Sequence, residues 1–270
     1  MNILMALSQL EITGAEVYAC TLGNTLSARG HRVFYISDTL STPVQGEVFK
    51  LRFNRRRLPR RLWHIAYLVY LIRRHHIQLV HAHSRASGWS SYVACRLTGT
   101  PIITTVHGRQ PVHASRKRFH ALGYRALAVC EAVADQIVEA LGVDRACVSV
   151  VRNGVDAERF KPRPSITHNE RPVVSIIGRL TGPKGEVCYQ LLDGVLDLQL
   201  WDVRVITGSE IPARFKRFRN LVAFQQGVLD MPAAIAQSDL VIGAGRVAIE
   251  ALLSGVPVYA IGEARAIGLI

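Results

Sequence analysis

The sequence predicts an α/β protein built from two parallel sheets, each covered by helices. Three observations carry that reading. Short apolar runs alternate with helical periodicities along the whole chain, a polar, Pro-containing break falls at 162–172, and a fresh apolar run ending in glycine opens the second part. With 270 residues and 49% hydrophobic content the chain can bury a sizeable core, and a prior of about 100 to 200 residues per domain allows two domains. The expected division is 1–161, a linker at 162–172, and 173–270.

Taken in order, the apolar runs predict strands at 2–6, 32–37, 46–52, 79–82, 102–106, 126–129 and 148–151. Helical periodicities at 15–29, 58–75, 87–98, 117–123 and 131–141 lie between them. The first strand starts at the N-terminus without a basic leader or cleavage site, so no export is expected. Gly14 permits close backbone approach at the start of the 15–29 helix, where an anionic group could be held. The second part continues the alternation, with strands at 173–177, 203–207, 222–224, 240–242 and 256–260 and helices at 186–196, 212–218, 231–237 and 247–254. No internal repeat or low-complexity tract is evident.

The segment Gly178-Arg179-Leu180-Thr181-Gly182-Pro183-Lys184-Gly185 reads as a phosphate cradle. A buried strand that ends in glycine and opens a helix presents unpaired N–H groups and the positive end of the helix dipole to an anion. Arg179 and Lys184 add two cations beside it. A second element running from Gly243 through Gly245, Arg246 and Glu250 to Val258 lies at the spacing of the facing wall of a nucleotide pocket. On the predicted helix a carboxylate at Glu250 can accept two hydrogen bonds from a ribose diol, or be a helix glutamate favoured by the dipole.

The net charge of +13 sits in one half: residues 1–164 carry 23 Lys and Arg against 10 Asp and Glu, and 165–270 carry 10 against 10. The first half therefore has an anionic partner. Six arginines, Arg52, Arg55, Arg56, Arg57, Arg60 and Arg61, precede the apolar run 62–72, which ends in Arg73-Arg74-His75-His76. That run is far short of the ~20 apolar residues that span a bilayer. One reading is a solvated loop and a core helix. Another is a peripheral anchor to anionic lipid, each cation contributing ~1 kcal/mol, with Trp63, Tyr67 and Tyr70 suited to the headgroup zone. Nucleic acid is not an expected partner, because no recognition motif accompanies the charge. Five cysteines without a C-x-x-C read as reduced thiols of a cytosolic protein, small core hydrophobes rather than metal ligands.

His81 and His83 alternate on one strand and share a face, a feasible pair of ligands. No carboxylate or cysteine stands at ligand spacing, so no metal is expected. His107 ends a predicted strand, the place where ligands sit in parallel α/β sheets, and is the better functional candidate; a packing or capping histidine is the other reading.

Several short markers recur in a fixed order: Thr13-Gly14-Ala15-Glu16, Leu26-Ser27-Ala28-Arg29-Gly30-His31, Leu79-Val80-His81-Ala82-His83-Ser84, Thr105-Val106-His107-Gly108, Asn153-Gly154-Val155-Asp156, Gly178-Arg179-Leu180, Lys184-Gly185 and the helix carrying Glu250. In their order and spacing the chain resembles the family 4 retaining glycosyltransferases of the two-domain GT-B fold, along essentially all 270 residues. The resemblance implies two Rossmann-like parallel-sheet domains facing across a cleft, the first on the acceptor side and the second binding the donor nucleotide. It implies sugar transfer, with retention, from a nucleotide diphosphate sugar to a glycan or lipid-linked acceptor in bacterial cell-surface polysaccharide or lipopolysaccharide assembly. No cofactor or metal is implied. His107, Arg179 and Lys184 would be catalytic, and Gly14, Gly178, Gly208, Gly243, Gly245, Arg246 and Glu250 would bind donor. Arg55, Arg56, Arg57, Arg60, Arg61 and Trp63 would lie on the acceptor side, against an anionic membrane surface, in a protein cytoplasmic and peripheral to the inner face of the membrane.

The chain departs from the family pattern in three places. Thr13 stands where the family has the first glycine of a pair, and Ile242 stands where it often has a second Glu, eight residues before Glu250, that contacts the donor sugar. The sequence stops at Gly268-Leu269-Ile270, where the family usually continues, so the second domain is expected to be truncated, with an open edge. Two other functions share the architecture: a sugar-nucleotide epimerase, and a nucleotide-sugar-binding protein that has lost catalysis.

Overall fold

The computed structural model describes residues 1–8, 13–53, 58–162, 170–228, 230–261 and 266–269. Packing divides the chain into two units, Met1–Asn153 and Gly154–Ile270. The first contains β1 (Asn2–Ala6), α1 (Gly14–Ala28), β2 (Arg32–Ser37), β3 (Glu47–Lys50), α2 (Leu58–Arg74), β4 (Leu79–Ala82), α3 (Arg85–Thr98), β5 (Ile102–Val106), α4 (Ala114–Arg118), β6 (Arg125–Ala128), α5 (Glu131–Asp135) and β7 (Val148–Val150). Its seven strands are all parallel, in the order β3-β2-β1-β4-β5-β6-β7.

Strand alternation sends side chains to both faces. Leu4, Ile36 and Val80 pack beneath Leu68, Leu71 and Ile72 of α2 and Ala94 and Cys95 of α3. Ile3, Met5, Val33 and Tyr35 pack on the other face against Ala19 of α1. This is why the strands read as continuous apolar runs: helices cover both sides.

The second unit repeats the plan with β8 (Val173–Ile177), α6 (Gly182–Gln190), β9 (Asp202–Thr207), β10 (Val222–Gln226), α7 (Met231–Ala236), β11 (Leu240–Gly243), α8 (Arg246–Leu253), β12 (Val258–Ile261) and β13 (Ala266–Leu269). The strand order is β10-β9-β8-β11-β12-β13, parallel except for the antiparallel pair β12–β13. One face packs Val174, Ile176 and Val205 with Cys188, Phe215 and Phe218; the other packs Ile177, Ile206 and Val258 with Ile235, Ala248 and Ala251.

Several expected boundaries change. The units divide at 153/154 rather than at 161, because Phe160 is buried among Ile177, Ile206 and Val241 of the second unit; most of the expected linker, 163–169, lies outside the described residues. The helix expected at 117–123 is α4, ending at Arg118, since Ala121 and Gly123 take positive φ of 54° and 82° that no helix accommodates. The helices expected at 131–141 and 186–196 each change to a wider π-turn, at Gln136–Ala140 and Leu191–Val195. The helix expected at 212–218 is a 3₁₀ segment, Ala213–Phe218. The strand expected at 256–260 is β12, and β13 was not expected. Of the cysteines, Cys20, Cys95 and Cys188 are buried, but Cys130 and Cys147 are exposed.

Candidate functional site

In the second sheet β8 has β9 on one side and β11 on the other, so the chain leaves β8 in one direction and later returns on its opposite flank. Ligands in parallel sheets bind outside the C-terminal strand ends at such a switch point. The two loops singled out from sequence emerge there together, since Ile176 of β8 is in register with Ile242 of β11.

The glycines of these loops have different physical tasks. A Cβ on Gly185 would stand 2.1 Å from the Leu180 carbonyl oxygen, so glycine lets α6 close against the loop. A Cβ on Gly243 would meet Val247 Cγ1 at 2.7 Å, and Gly245 caps α8 with φ of 60°. Apart from its chain neighbours, no atom of the described residues lies within 4 Å of where a Gly178 Cβ would be, so the space in front of it is open. Gly208 follows β9 at the same end of the sheet. Beside it the buried Ser209 hydroxyl accepts the Leu180 N–H at 3.2 Å and lies 2.9 Å from Thr207 Oγ1, tying the neighbouring loop to the cradle. No spacing rule in the sequence points to Ser209.

Arg179 is exposed and Lys184, in the first turn of α6, is partly buried. Arg246 and Glu250 are one helical turn apart, and the structure makes them partners: Arg246 Nε donates to Glu250 Oε1 with both side chains largely buried. Burial raises the Glu250 carboxyl above its ordinary value, opposed by Arg246 and by Arg159. Arg246 Nη1 is buried and has no hydrogen-bond partner among the described residues. Ile242 is core, 3% exposed.

In the first sheet the switch point lies between β1 and β4. Thr13 caps α1, its hydroxyl accepting the Glu16 N–H, so the residue in place of a glycine uses one of the free N–H groups. Gly14 follows, and a methyl group there would meet no atom of the other described residues within 4 Å, its chain neighbours aside. His83 and His107 stand one residue beyond β4 and β5, and the pairing of these strands brings His83 Nδ1 to 3.2 Å from His107 Nε2. His81 Nε2 lies 2.7 Å from Thr105 Oγ1, and the Tyr18 ring meets His107 edge-on. Burial pushes His107 down to about 4 and His81 down to about 3, with His107 also acting on His81; His83 is driven well below the usual histidine range by burial and both neighbours. All three are neutral at pH 7 and act as hydrogen-bonding groups rather than cations. His81 and His83 do share a face, with ring centroids 4.1 Å apart. Among the described residues no three His, Cys, Asp or Glu side chains are grouped to hold a metal ion.

On α2 the core face is His64, Ile65, Leu68, Leu71 and Ile72, yet Leu58, Leu62, Trp63 and Tyr70 are all more than half exposed. Trp63 stacks on Tyr67 and Tyr67 on Tyr70, and Arg61 lies over Trp89 at 4.6 Å. Arg60, Arg73 and Arg74 are exposed at the two ends of the helix. Arg55, Arg56 and Arg57 lie outside the described residues. No described helix is long and apolar enough to cross a membrane.

The model of Glycosyltransferase Family 4 matches residues 12–159. Comparison with curated proteins finds no match. Among solved structures, a glycosyltransferase from Rickettsia africae ESF-5 is 21% identical with a TM-score of 0.74, over 97% of this chain and 80% of that one. Anabaena HepE in complex with UDP-glucose is 20% identical with a TM-score of 0.73, over 96% and 80%. The lipopolysaccharide outer core galactosyltransferase WaaB is 15% identical with a TM-score of 0.63, over 96% and 80%. At these identities the likeness is one of fold, the paired Rossmann-like sheets of GT-B.

Proposed function

The chain belongs to glycosyltransferase family 4, and on that basis we propose that it moves a sugar, with retention, from a nucleotide diphosphate sugar to a glycan or lipid-linked acceptor. The carrying observation is the second switch point, where the open face of Gly178, the α6 N-terminus and the cations Arg179 and Lys184 stand beside the Gly243–Gly245 loop. Cleavage of the bond to the diphosphate builds positive character on the anomeric carbon and negative charge on the departing group. Arg179, Lys184 and the N–H groups at the helix start stabilise that charge as it develops. Arg246 and Glu250 act as a couple: Arg246 toward the diphosphate, Glu250 toward the ribose hydroxyls. His107 is neutral and held by His83, so it orients a hydroxyl rather than supplying a charge.

The acceptor is assigned to the basic first unit, with α2 resting on an anionic membrane surface through Trp63 and Tyr70 and its flanking arginines. WaaB acts in lipopolysaccharide outer core assembly by its name, and cell-surface polysaccharide assembly is the setting we propose here. Incubation with radiolabelled sugar nucleotides and a membrane extract tests the reading. Label moved to an acceptor, with the anomeric configuration of the donor kept, is expected. Isomerised free sugar nucleotide, or binding without turnover, would replace it with an epimerase or a binding protein.

A further inference from the structure

We propose that the first unit carries a built site for an oxyanion, a phosphate or carboxylate group, between Arg116 and Arg85. Arg116 belongs to the run Arg116-Lys117-Arg118 on α4, and its two basic neighbours are exposed. Arg116 alone turns inward and is 4% exposed. Its Nε and Nη1 are buried and, among the described residues, have no hydrogen-bond partner. A guanidinium does not shed its proton to escape burial, so an unpaired one inside a protein is strongly unfavourable.

The surroundings add positive charge rather than neutralising it. Arg85, in the first turn of α3, lines the same cavity and acts on Arg116 as a second cation. None of the ion pairs among the described residues involves either arginine. The chain has no acidic residue between Glu47 and Glu131, so neither arginine has an acid close by in sequence. The cavity also receives the positive end of α3, a helix of 14 residues capped by Ser84, whose hydroxyl takes the Ser87 N–H; the dipole of that end favours an anion. Thr104, Gln110 and His120 line it as well, and among the described residues Thr104 Oγ1, Gln110 Oε1 and His120 Nε2 are buried without partners. Trp89 and Phe119, edge to face at 5.8 Å, form an apolar wall.

Size and place narrow the ligand. The cavity is about 20 Å³, enough for the end of one oxyanion group and too small for a sugar ring or a base. It lies outside the C-terminal ends of β4 and β5, the side of a parallel sheet on which ligands bind. The group is therefore one that the acceptor carries, a phosphate or a sugar carboxylate, with one of its oxygens in the pocket and the rest of the acceptor outside. Naming the acceptor as its bearer rests on the proposed sugar transfer; the anion site itself does not.

The test uses the full chain carrying Arg179→Ala and Lys184→Ala, which removes the competing phosphate site of the second unit. Titration with inorganic phosphate and with glucuronate, at ionic strength held constant with sodium chloride, reads affinity and melting temperature. Saturable binding of at least one anion is expected, weakened at least tenfold by Arg85→Gln and abolished by Arg116→Met. A tenfold preference for phosphate assigns a phosphate-bearing acceptor; the reverse assigns an acidic sugar. Equal affinity in Arg85→Gln, or stabilisation no greater than sodium chloride alone gives, overturns the site. Arg85 is exposed, so its variant decides the matter even where Arg116→Met does not fold. UDP binding in chains with Arg179 and Lys184 intact is measured alongside. Its absence would remove the donor reading while leaving the anion site standing.

Discussion

Gly185→Ala and Gly178→Ala separate the two uses of glycine in the cradle. A methyl at 185 would stand 2.1 Å from the Leu180 carbonyl oxygen and 2.3 Å from its carbonyl carbon. Those are backbone atoms, and Leu180 is itself 1% exposed in the core, so the loop cannot swing aside. Overpacking of this kind costs about 1 to 3 kcal/mol, and a backbone clash belongs at the upper end. Alanine returns about 1 kcal/mol of helix propensity, leaving a net loss of about 2 kcal/mol. For a unit of this size that is a fall of about 8 °C in melting temperature. Gly178→Ala meets no protein atom and should change stability by no more than about 0.5 kcal/mol. It should nonetheless weaken UDP binding at least tenfold, since the methyl enters the space assigned to phosphate. Calorimetric melting and UDP titration of both variants read these effects. The reasoning fails if Gly178→Ala melts with Gly185→Ala, or if it binds UDP as tightly as the parent.

Four further outcomes are expected. Arg179→Ala or Lys184→Ala should each cost ~1.5 to 3 kcal/mol of UDP affinity and far less of uridine affinity; unchanged UDP binding in both would remove them from the site. Glu250→Gln breaks a buried pair and should lower stability by about 3 kcal/mol while reducing discrimination between ribose and 2′,3′-dideoxyribose nucleotides, and a parent without that preference would refute the ribose assignment. Because His107 and His81 are held at about 4 and about 3, against ~6.5 in an unfolded chain, the unfolded state takes up their protons first. Their contribution to stability is therefore complete above about pH 6.5 and lost as pH falls through 4 toward 3; urea midpoints from pH 7 to 4 should fall less in His81→Gln, and an identical slope would sink the idea. Replacing Trp63 and Tyr70 with Ser should lower sedimentation with phosphatidylglycerol vesicles and leave UDP binding intact, whereas equal sedimentation of the parent with neutral and anionic vesicles would return α2 to an ordinary surface helix.

The sheets were legible because strands buried on both faces leave continuous apolar runs, as at 32–37 and 173–177, and a glycine directly after such a run is hard to mistake. The helices were read less well. α4 carries no apolar stripe to mark its ends, and the positive φ at Ala121 follows from packing rather than from residue type. The loops proposed to hold the donor could be found from glycine spacing, but not which glycines the fold itself requires, since that depends on Leu180 and Val247 closing on them. His83 and His107 lie 24 residues apart and meet only through the pairing of β4 with β5. Arg116 sits in a basic run that reads as wet surface, and the inward turn of one arginine among three is a tertiary event with no local signal.

Glu16, wholly buried, accepts hydrogen bonds from the N–H groups of Ser41 and Thr42 and from the Thr42 hydroxyl. Farther along α1 the Asn24 side chain bonds Pro43 and Gln45, and the Ser27 hydroxyl donates to the Gln45 carbonyl. The segment after β2 is thus stitched lengthwise to the helix that begins at Gly14. An engineer seeking a new acceptor by loop exchange would find that this loop is not a separable cassette: transplanting 38–46 means transplanting one side of α1 with it, and an inserted residue there would slip every stitch at once.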